Sequence, residues 1–403
     1  MSVMTYAAHL AVAALALAPA TAVQEQQGRP AVTLTLPAPA GPLPVGTVAV
    51  RLVDRSRPDP LVRSKRYREL MVSLWYPAAR SALPPAPHMA PLAAADWDRR
   101  SAPPMGIAKG AVDWAATVTA ARSGAPVERG GGRLPVVLFG SGDGGPRTLG
   151  TALVQDLASR GYLVVTVDHT FEADQVEFPG GRVVRALPLP AKLTPRVIAG
   201  LLERHARARL ADMRFVLDRV AALGRGEAIG GVALPAGLRG APDLSRVGAL
   251  GQSLGGSVAA QLVHDDRRVV AGVNLDGGYV GPVAVTGVAR PFLQLAAEAH
   301  TRESEPSWRS FWRASTGWKR ELRFKGAAHG SFTDLQALLP QVAAALPKGG
   351  VAVADFVGTI DARRSVAAQR AYVGAFFDLH LRGKATRLFE GSGGGFPEVS
   401  RIP

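Results

Sequence analysis

From residue 134 onward the chain alternates two patterns. Short runs of consecutive apolar residues give way to longer stretches whose apolar positions recur every three or four residues. The runs at 135–139, 162–168, 247–250 and 269–275 read as strands buried on both faces, and 290–295 and 320–324, though broken by polar residues, read as further strands. The stretches at 148–160, 195–223, 257–263, 333–345 and 361–382 read as helices. In the long one Leu201, Leu202, Leu210, Met213, Phe215, Val216, Leu217 and Val220 supply the apolar side. This order predicts an α/β fold, a mostly parallel sheet with helices on both faces. Upstream, 47–53 and 68–77 alternate as antiparallel strands do, across a Pro/Asp-rich turn at 54–60. The last strand is expected at 320–324.

The gaps in the pattern suggest the domain plan. Residues 28–45 are rich in proline and glycine, so 23–45 is expected to be an extended arm. One catalytic domain is expected over 46–385. Within it, 78–132 reads as a Pro/Ala/Gly-rich excursion over the surface, with a modest helical signal at 108–122. Residues 170–192 and 224–243 read as loops, and 386–403 as a C-terminal tail. At the front, 7–18 is an apolar run of signal-peptide length followed by Ala20-Thr21-Ala22, an A-x-A cleavage pattern. No Lys or Arg precedes that run, and the alternative is a leader retained in the cytosol. Export, with 1–22 removed, is the favoured reading. No later stretch is long and apolar enough to be transmembrane.

Composition changes this picture little. The 403 residues are 47% hydrophobic and 20% charged, an ordinary globular balance. The formal net charge of +15 is spread along the chain, mostly as arginine, without a dense basic run interleaved with aromatics. Nucleic acid is therefore not an expected partner, and weak attraction to anionic surfaces is the most the charge implies. There is no cysteine, which excludes disulfides, thiolate catalysis and Cys-ligated zinc.

The candidate chemistry centres on Gly251-Gln252-Ser253-Leu254-Gly255-Gly256, between a buried strand and a helix. In that context G-x-S-x-G is a nucleophile elbow. The turn is so sharp that the residues two before and two after the serine must lack a Cβ. Serine needs a base, and the base needs an orienting acid, which α/β-hydrolases supply in the order Ser, Asp or Glu, His. The acids at later strand ends are Asp276 and Glu298. The histidines beyond them are His300, His329 and His380. His329 lies in a small-residue loop after a strand, where a base reaches over the sheet edge. His300 is too close to the preceding strand, and His380 sits in the terminal helix, where a solvated or capping role is the ordinary reading. Between Asp276, in a tight Gly-Gly turn, and Glu298 the residues alone do not choose. Gly140-Ser141-Gly142-Asp143-Gly144-Gly145 lacks a P-loop's Gly-Lys-Ser/Thr but suits one wall of an oxyanion hole, with the N–H of Leu254 as the other donor. Asp168 and His169, ending their strand, read as an ordinary polar strand end. No metal-ligand spacing and no cofactor motif appear.

These stretches resemble the secreted, plasma-type platelet-activating-factor acetylhydrolase family of α/β-hydrolases and its bacterial relatives. The resemblance rests on 46–48 with 70–77, 136–168, 215–219, 251–256, Asp276 and 329–334, and extends over most of 40–385. It implies Ser253 as nucleophile, Asp276 as acid and His329 as base, with backbone donors at Asp143 and Leu254 and no metal. It also implies a short acyl group on a lipid or small alcohol as substrate. Relatives usually carry His-Gly at Ser141-Gly142 and leucine at Asp143, so an acidic side chain here stands beside the oxyanion site. The expectation is a secreted serine esterase. A polyester or xenobiotic esterase and an acyltransferase would use the same residues, and a non-catalytic lipid-binding homologue is the remaining alternative.

Export is tested at the N-terminus. Protein recovered from culture medium is expected to begin at or near Val23 on Edman sequencing. Recovery only from the cytosol, with Met1 or Ser2 intact, would contradict it.

Overall fold

The computed structural model describes residues 31–130, 132–346, 351–390 and 395–403. The expected leader at 1–22 lies outside them. An eleven-stranded sheet runs through the molecule in the order β13-β12-β11-β10-β9-β5-β6-β2-β1-β4-β3. Six strands form its parallel centre: β5 (Leu134–Gly140), β6 (Leu163–Asp168), β9 (Pro242–Gln252), β10 (Val269–Leu275), β11 (Phe292–Ala297) and β12 (Lys319–Phe324). β1 (Val45–Asp54) and β2 (Arg68–Pro77) pair antiparallel, and β2 joins β6 antiparallel. This is the α/β-hydrolase architecture expected, with antiparallel N-terminal strands.

Alternation along the strands divides the core in two, because successive side chains point to opposite faces. Val136 and Leu138 of β5 pack on one face with Met213, Val216, Leu217 and Val220 of α3 (Pro195–Gly224) and Val258 and Leu262 of α4 (Leu254–Asp265). Val137 and Phe139 pack on the other with Leu153, Val154 and Leu157 of α2 (Thr151–Ser159) and Tyr372, Val373, Phe376 and Phe377 of α9 (Ala362–Arg382). Truncating a core phenylalanine such as Phe376 to alanine would cost about 3–5 kcal/mol. Helix α3 starts where Thr194 caps it: its Oγ1 accepts the Val197 N–H at 3.3 Å, and Pro195 needs no partner at the first position. Among the described residues no helix is long and apolar enough to cross a membrane.

Four expectations change. Residues 78–132 are not an excursion over the surface. They hold α1 (Pro91–Arg100), β3 (Pro85–Pro87) and β4 (Val118–Ser123), and the two strands extend the main sheet. Residues 108–122 are not helical. Trp97, Met105, Ile107 and Trp114 instead build a third core with Leu338, Leu339 and Val342 of α7 (Leu335–Ala345). These large residues follow no period, so their burial is delivered by distant segments. Within 170–192, β7 (Gln175–Phe178) and β8 (Arg182–Arg185) form a hairpin, turned at Gly180 and Gly181, both with positive φ. The C-terminal tail contributes β13 (Val399–Ile402), which pairs antiparallel with β12, so 320–324 is not the last strand. Four residues are too short a run to show a period.

One buried ionic cluster ties α3 to the sheet. Asp212 accepts from Arg68 Nε at 3.0 Å and Nη2 at 2.8 Å, from His169 Nδ1 at 2.8 Å and from Arg57 Nη2 at 2.6 Å. Burial pushes its carboxyl up, but the Arg68 charge and the His169 and Arg68 hydrogen bonds outweigh it and hold Asp212 well below the usual range. Asp168, at the end of β6, is likewise engaged by the Arg147 guanidinium and by the Arg147 N–H at 2.6 Å. Asp212→Ala leaves the fully buried Arg68 with two of its four hydrogen bonds and is expected to lower stability by about 3–5 kcal/mol in urea melts.

Candidate active site

β9 ends at Gln252, Ser253 makes the turn, and α4 begins at Leu254. Ser253 has φ 55° and ψ −125°, a region L-residues rarely occupy. Neighbouring backbone leaves no alternative. A Cβ at Gly251 would lie 2.1 Å from the Gly255 carbonyl carbon, and one at Gly255 would lie 2.1 Å from the Gly140 oxygen. The Ser253 N–H donates to Leu275 O at 2.9 Å, tying the elbow to the end of β10. Leu254 opens a helix, so its N–H is one of those that lack an intrahelical partner.

Asp276 follows β10 and is fully buried, with φ 60°. Among the described residues only Phe171, Ser253 and Asp276 are non-glycine residues with positive φ. Asp276 is held at three points. Its N–H donates to Leu295 O at 2.8 Å, Oδ1 accepts from the Ala297 N–H at 2.7 Å, and Oδ2 accepts from His329 Nδ1 at 2.7 Å. Burial opposes its ionisation, but His300 and His329 outweigh burial and hold the carboxyl well below its usual value. His329 opens a short 3₁₀ turn, His329–Phe332, in the loop after β12. Donation from Nδ1 fixes its tautomer and leaves a lone pair on Nε2, which lies 3.2 Å from the Gln252 amide nitrogen, beside the elbow.

The loop after β5 forms the facing wall. Ser141 Oγ donates to Gly145 O at 2.5 Å, closing the turn. The Asp143 carboxylate accepts from His205 Nδ1 of α3 at 2.8 Å. Burial raises its pKa, but His205 and Arg209 win and keep it ionised. Ser253, His329, Gly142 and Asp143 all line one cleft of about 200 Å³, whose apolar walls include Phe139, Leu149, Phe332, Leu335 and Phe356.

Comparison with known proteins gives this geometry a lineage. The profile described as platelet-activating factor acetylhydrolase, isoform II, matches residues 33–177, from the arm through the loop after β5 to β7. A protein of Arthroderma benhamiae named probable 1-alkyl-2-acetylglycerophosphocholine esterase is 30% identical over 276 residues, 66% of this chain and 65% of that one. The platelet-activating factor acetylhydrolase of Cavia porcellus is 24% identical over 221 residues, 51% of this chain and 49% of that one. The aligned stretch thus spans less than two thirds of either curated relative. A solved structure, ferulic acid esterase from Streptomyces cinnamoneus, superposes with TM-score 0.74 at 35% identity, covering 92% of this chain and 99% of that one. Over residues 33–177 the chain is thus similar to the platelet-activating factor acetylhydrolase family.

The other sequence candidates fall outside the cleft, with one exception. Glu298 is exposed and accepts from the Gly326 N–H at 2.9 Å, so it braces a loop. His380 is half-buried and caps nothing. Its ring packs at 4.7 Å from Trp318 and 4.8 Å from Phe376, and burial pushes its pKa down to about 4. Asp168 and His169 do not line the cleft. The exception is His300, which lines it. Its Nδ1 lies 2.9 Å from the same Asp276 oxygen, at ion-pair distance without hydrogen-bond alignment, and its ring is 5.9 Å from that of His329. Burial opposes its protonation, but Asp276 and Glu305 raise its pKa overall. Proximity to β11 argued against His300 in the sequence, yet that position puts it on the same rim. Two groups of three side chains with metal-ligand chemistry occur among the described residues, Asp276–His300–His329 and Asp143–Glu172–His205. Sequence spacing could not reveal either. Arg209 already neutralises Glu172 in the second.

Substitution of the two candidate carboxylates distinguishes them. Asp276→Asn is expected to keep the fold and lose up to about 10⁴-fold in kcat, because the amide can favour the wrong tautomer of His329. Glu298→Gln is expected to change kcat by less than about threefold, as surface substitutions usually do little. Steady-state ester hydrolysis with a melting check on both variants measures this, and the reverse order would place the acid on the later strand.

Proposed function

We propose that the protein is an exported serine esterase working through Ser253, His329 and Asp276. The observation that carries this reading is the shared cleft. A serine on a strained elbow faces it together with a histidine whose Nδ1 donates to a buried, ionised aspartate. In the proposed reaction His329 Nε2 takes the Ser253 proton as Oγ attacks the ester carbonyl. Asp276 stabilises the imidazolium that forms. The N–H groups of Asp143 and Leu254 hold the oxyanion, and preorganised donors of this kind supply much of the rate enhancement in acyl transfer. His329 then gives its proton to the leaving alcohol. Water, deprotonated by the same histidine, releases the acyl group. No step calls for a metal or cofactor.

The substrate class proposed is a short-acyl ester of a lipid or small alcohol. A cleft of about 200 Å³ with apolar walls suits a small acyl group, and the two curated relatives are named for acetylated glycerophospholipids. The second reading is a bulkier, aromatic or xenobiotic acyl group, favoured by the long match to a ferulic acid esterase and by Phe139, Phe332 and Phe356 in the cleft. Transfer to an alcohol acceptor uses the same residues. The leader at 1–22 supports the export half of the proposal, and the +15 charge suits weak association with anionic surfaces.

A fluorophosphonate probe is expected to label Ser253 and to leave Ser253→Ala unlabelled, with hydrolysis in that variant down at least about 10⁴-fold. Across acetyl, butyryl, octanoyl and feruloyl esters, kcat/KM is expected to be highest for acetyl. A maximum at feruloyl would support the second reading. Absence of both labelling and hydrolysis would leave a binding protein on this fold.

A further inference from the structure

The loop that carries the first oxyanion donor is gripped by α3. His205 and Arg209 are one turn apart on that helix and share a face. Arg209 is fully buried. Its Nε donates to Glu172 Oε1 at 2.8 Å and Oε2 at 2.7 Å, Nη2 to Gly142 O at 2.7 Å, and Nη1 to Ser141 O. Two consecutive carbonyls of the loop are therefore pinned by one rigid fork. Gly142 C=O and Asp143 N–H belong to the same planar trans peptide and point in opposite directions. Fixing the carbonyl toward Arg209 therefore aims the Asp143 N–H away from it.

The same residue that offers this N–H carries a carboxylate, and a negative charge beside a forming oxyanion opposes it. The carboxylate is held on the α3 side. Oδ1 accepts from His205 Nδ1 at 2.8 Å, and both side chains are mostly shielded from solvent, with 12% of each exposed. A carboxylate only accepts, so Nδ1 must carry the proton of this bond.

We infer that His205 is a positioning residue: it draws the Asp143 carboxylate away from the oxyanion site, so that this residue can serve through its backbone. The inference rests on the esterase reading above. It explains how an acidic side chain is tolerated beside an oxyanion site. It also assigns a role to a histidine that neither the Ser–His–Asp set nor the apolar side of α3 accounts for.

The test is a double-mutant cycle between His205 and Asp143, read with p-nitrophenyl acetate and by the rate of fluorophosphonate labelling at Ser253. His205→Ala is expected to lower kcat about 10- to 100-fold while KM moves less than about threefold, the pattern of an interaction made in the transition state. In the Asp143→Asn background, whatever that substitution itself does, His205→Ala is expected to cost less than about threefold, because no anion is left to restrain. His205→Asn, which keeps a donor close to the place of Nδ1, is expected to recover most of the loss and serves if the alanine variant fails to fold. An equal cost of the His205 substitution in both backgrounds, or no cost in the wild type, would overturn the inference while leaving the esterase reading intact. A wild-type protein that neither hydrolyses the ester nor reacts with the probe would overturn both.

Discussion

The site depends on one close approach of backbone to backbone. Gly140 of β5 and Gly251 of β9 stand opposite each other in register, and Gly255 of α4 sits against both. No side chain fits between them. That contact lets α4 start directly behind the strand it follows, forcing Ser253 into its strained conformation. Strain of this kind costs about 1–3 kcal/mol per residue and persists where the surroundings over-determine it. Here they do. Ser253 is tied to Leu275, and Asp276, strained in the same sense, is tied to Leu295 and Ala297. The strained residues and their anchors form a chain across β9, β10 and β11.

Parallel strands turn that local constraint into a site. β5, β9, β10, β11 and β12 run in one direction, so the loops after all five emerge on the same edge of the sheet. The loop at 141–145, Ser253, Asp276, His300 and His329 come from these five strand ends in chain order. Residues nearly two hundred positions apart meet because strand direction leaves their loops nowhere else to go.

Charge does inside this protein what apolar packing does elsewhere. Along one face of α3, His205, Arg209 and Asp212 reach in turn to Asp143, to Glu172 with the loop carbonyls, and to Arg68 with His169. Each carboxylate has a cation or N–H donor against it, as buried ions require. An apolar interface would hold the helix as firmly. It would not specify the direction of a peptide group, which a guanidinium fork bonded to two carbonyls does.

Much of this was legible in the chain. Continuous apolar runs disclosed the central strands, since burial on both faces removes alternation. The long period of α3 and α9 disclosed the helices. G-x-S-x-G disclosed the elbow, because glycine spacing records a steric conflict local in sequence. What the chain could not show was anything set by long-range pairing. Trp97 and Trp114 follow no period because α7, more than two hundred residues away, buries them. β13 is four residues long and becomes a strand only against β12. His300 read as a bystander because distance along the chain says nothing about which residues share a carboxylate. The partner of Asp143 was hidden for the same reason. His205 lies 62 residues further on, and only the packing of α3 across the end of β5 brings its Nδ1 to that carboxylate. Local sterics and periodicity are written in neighbouring residues, whereas the meeting of charges depends on where whole elements come to rest.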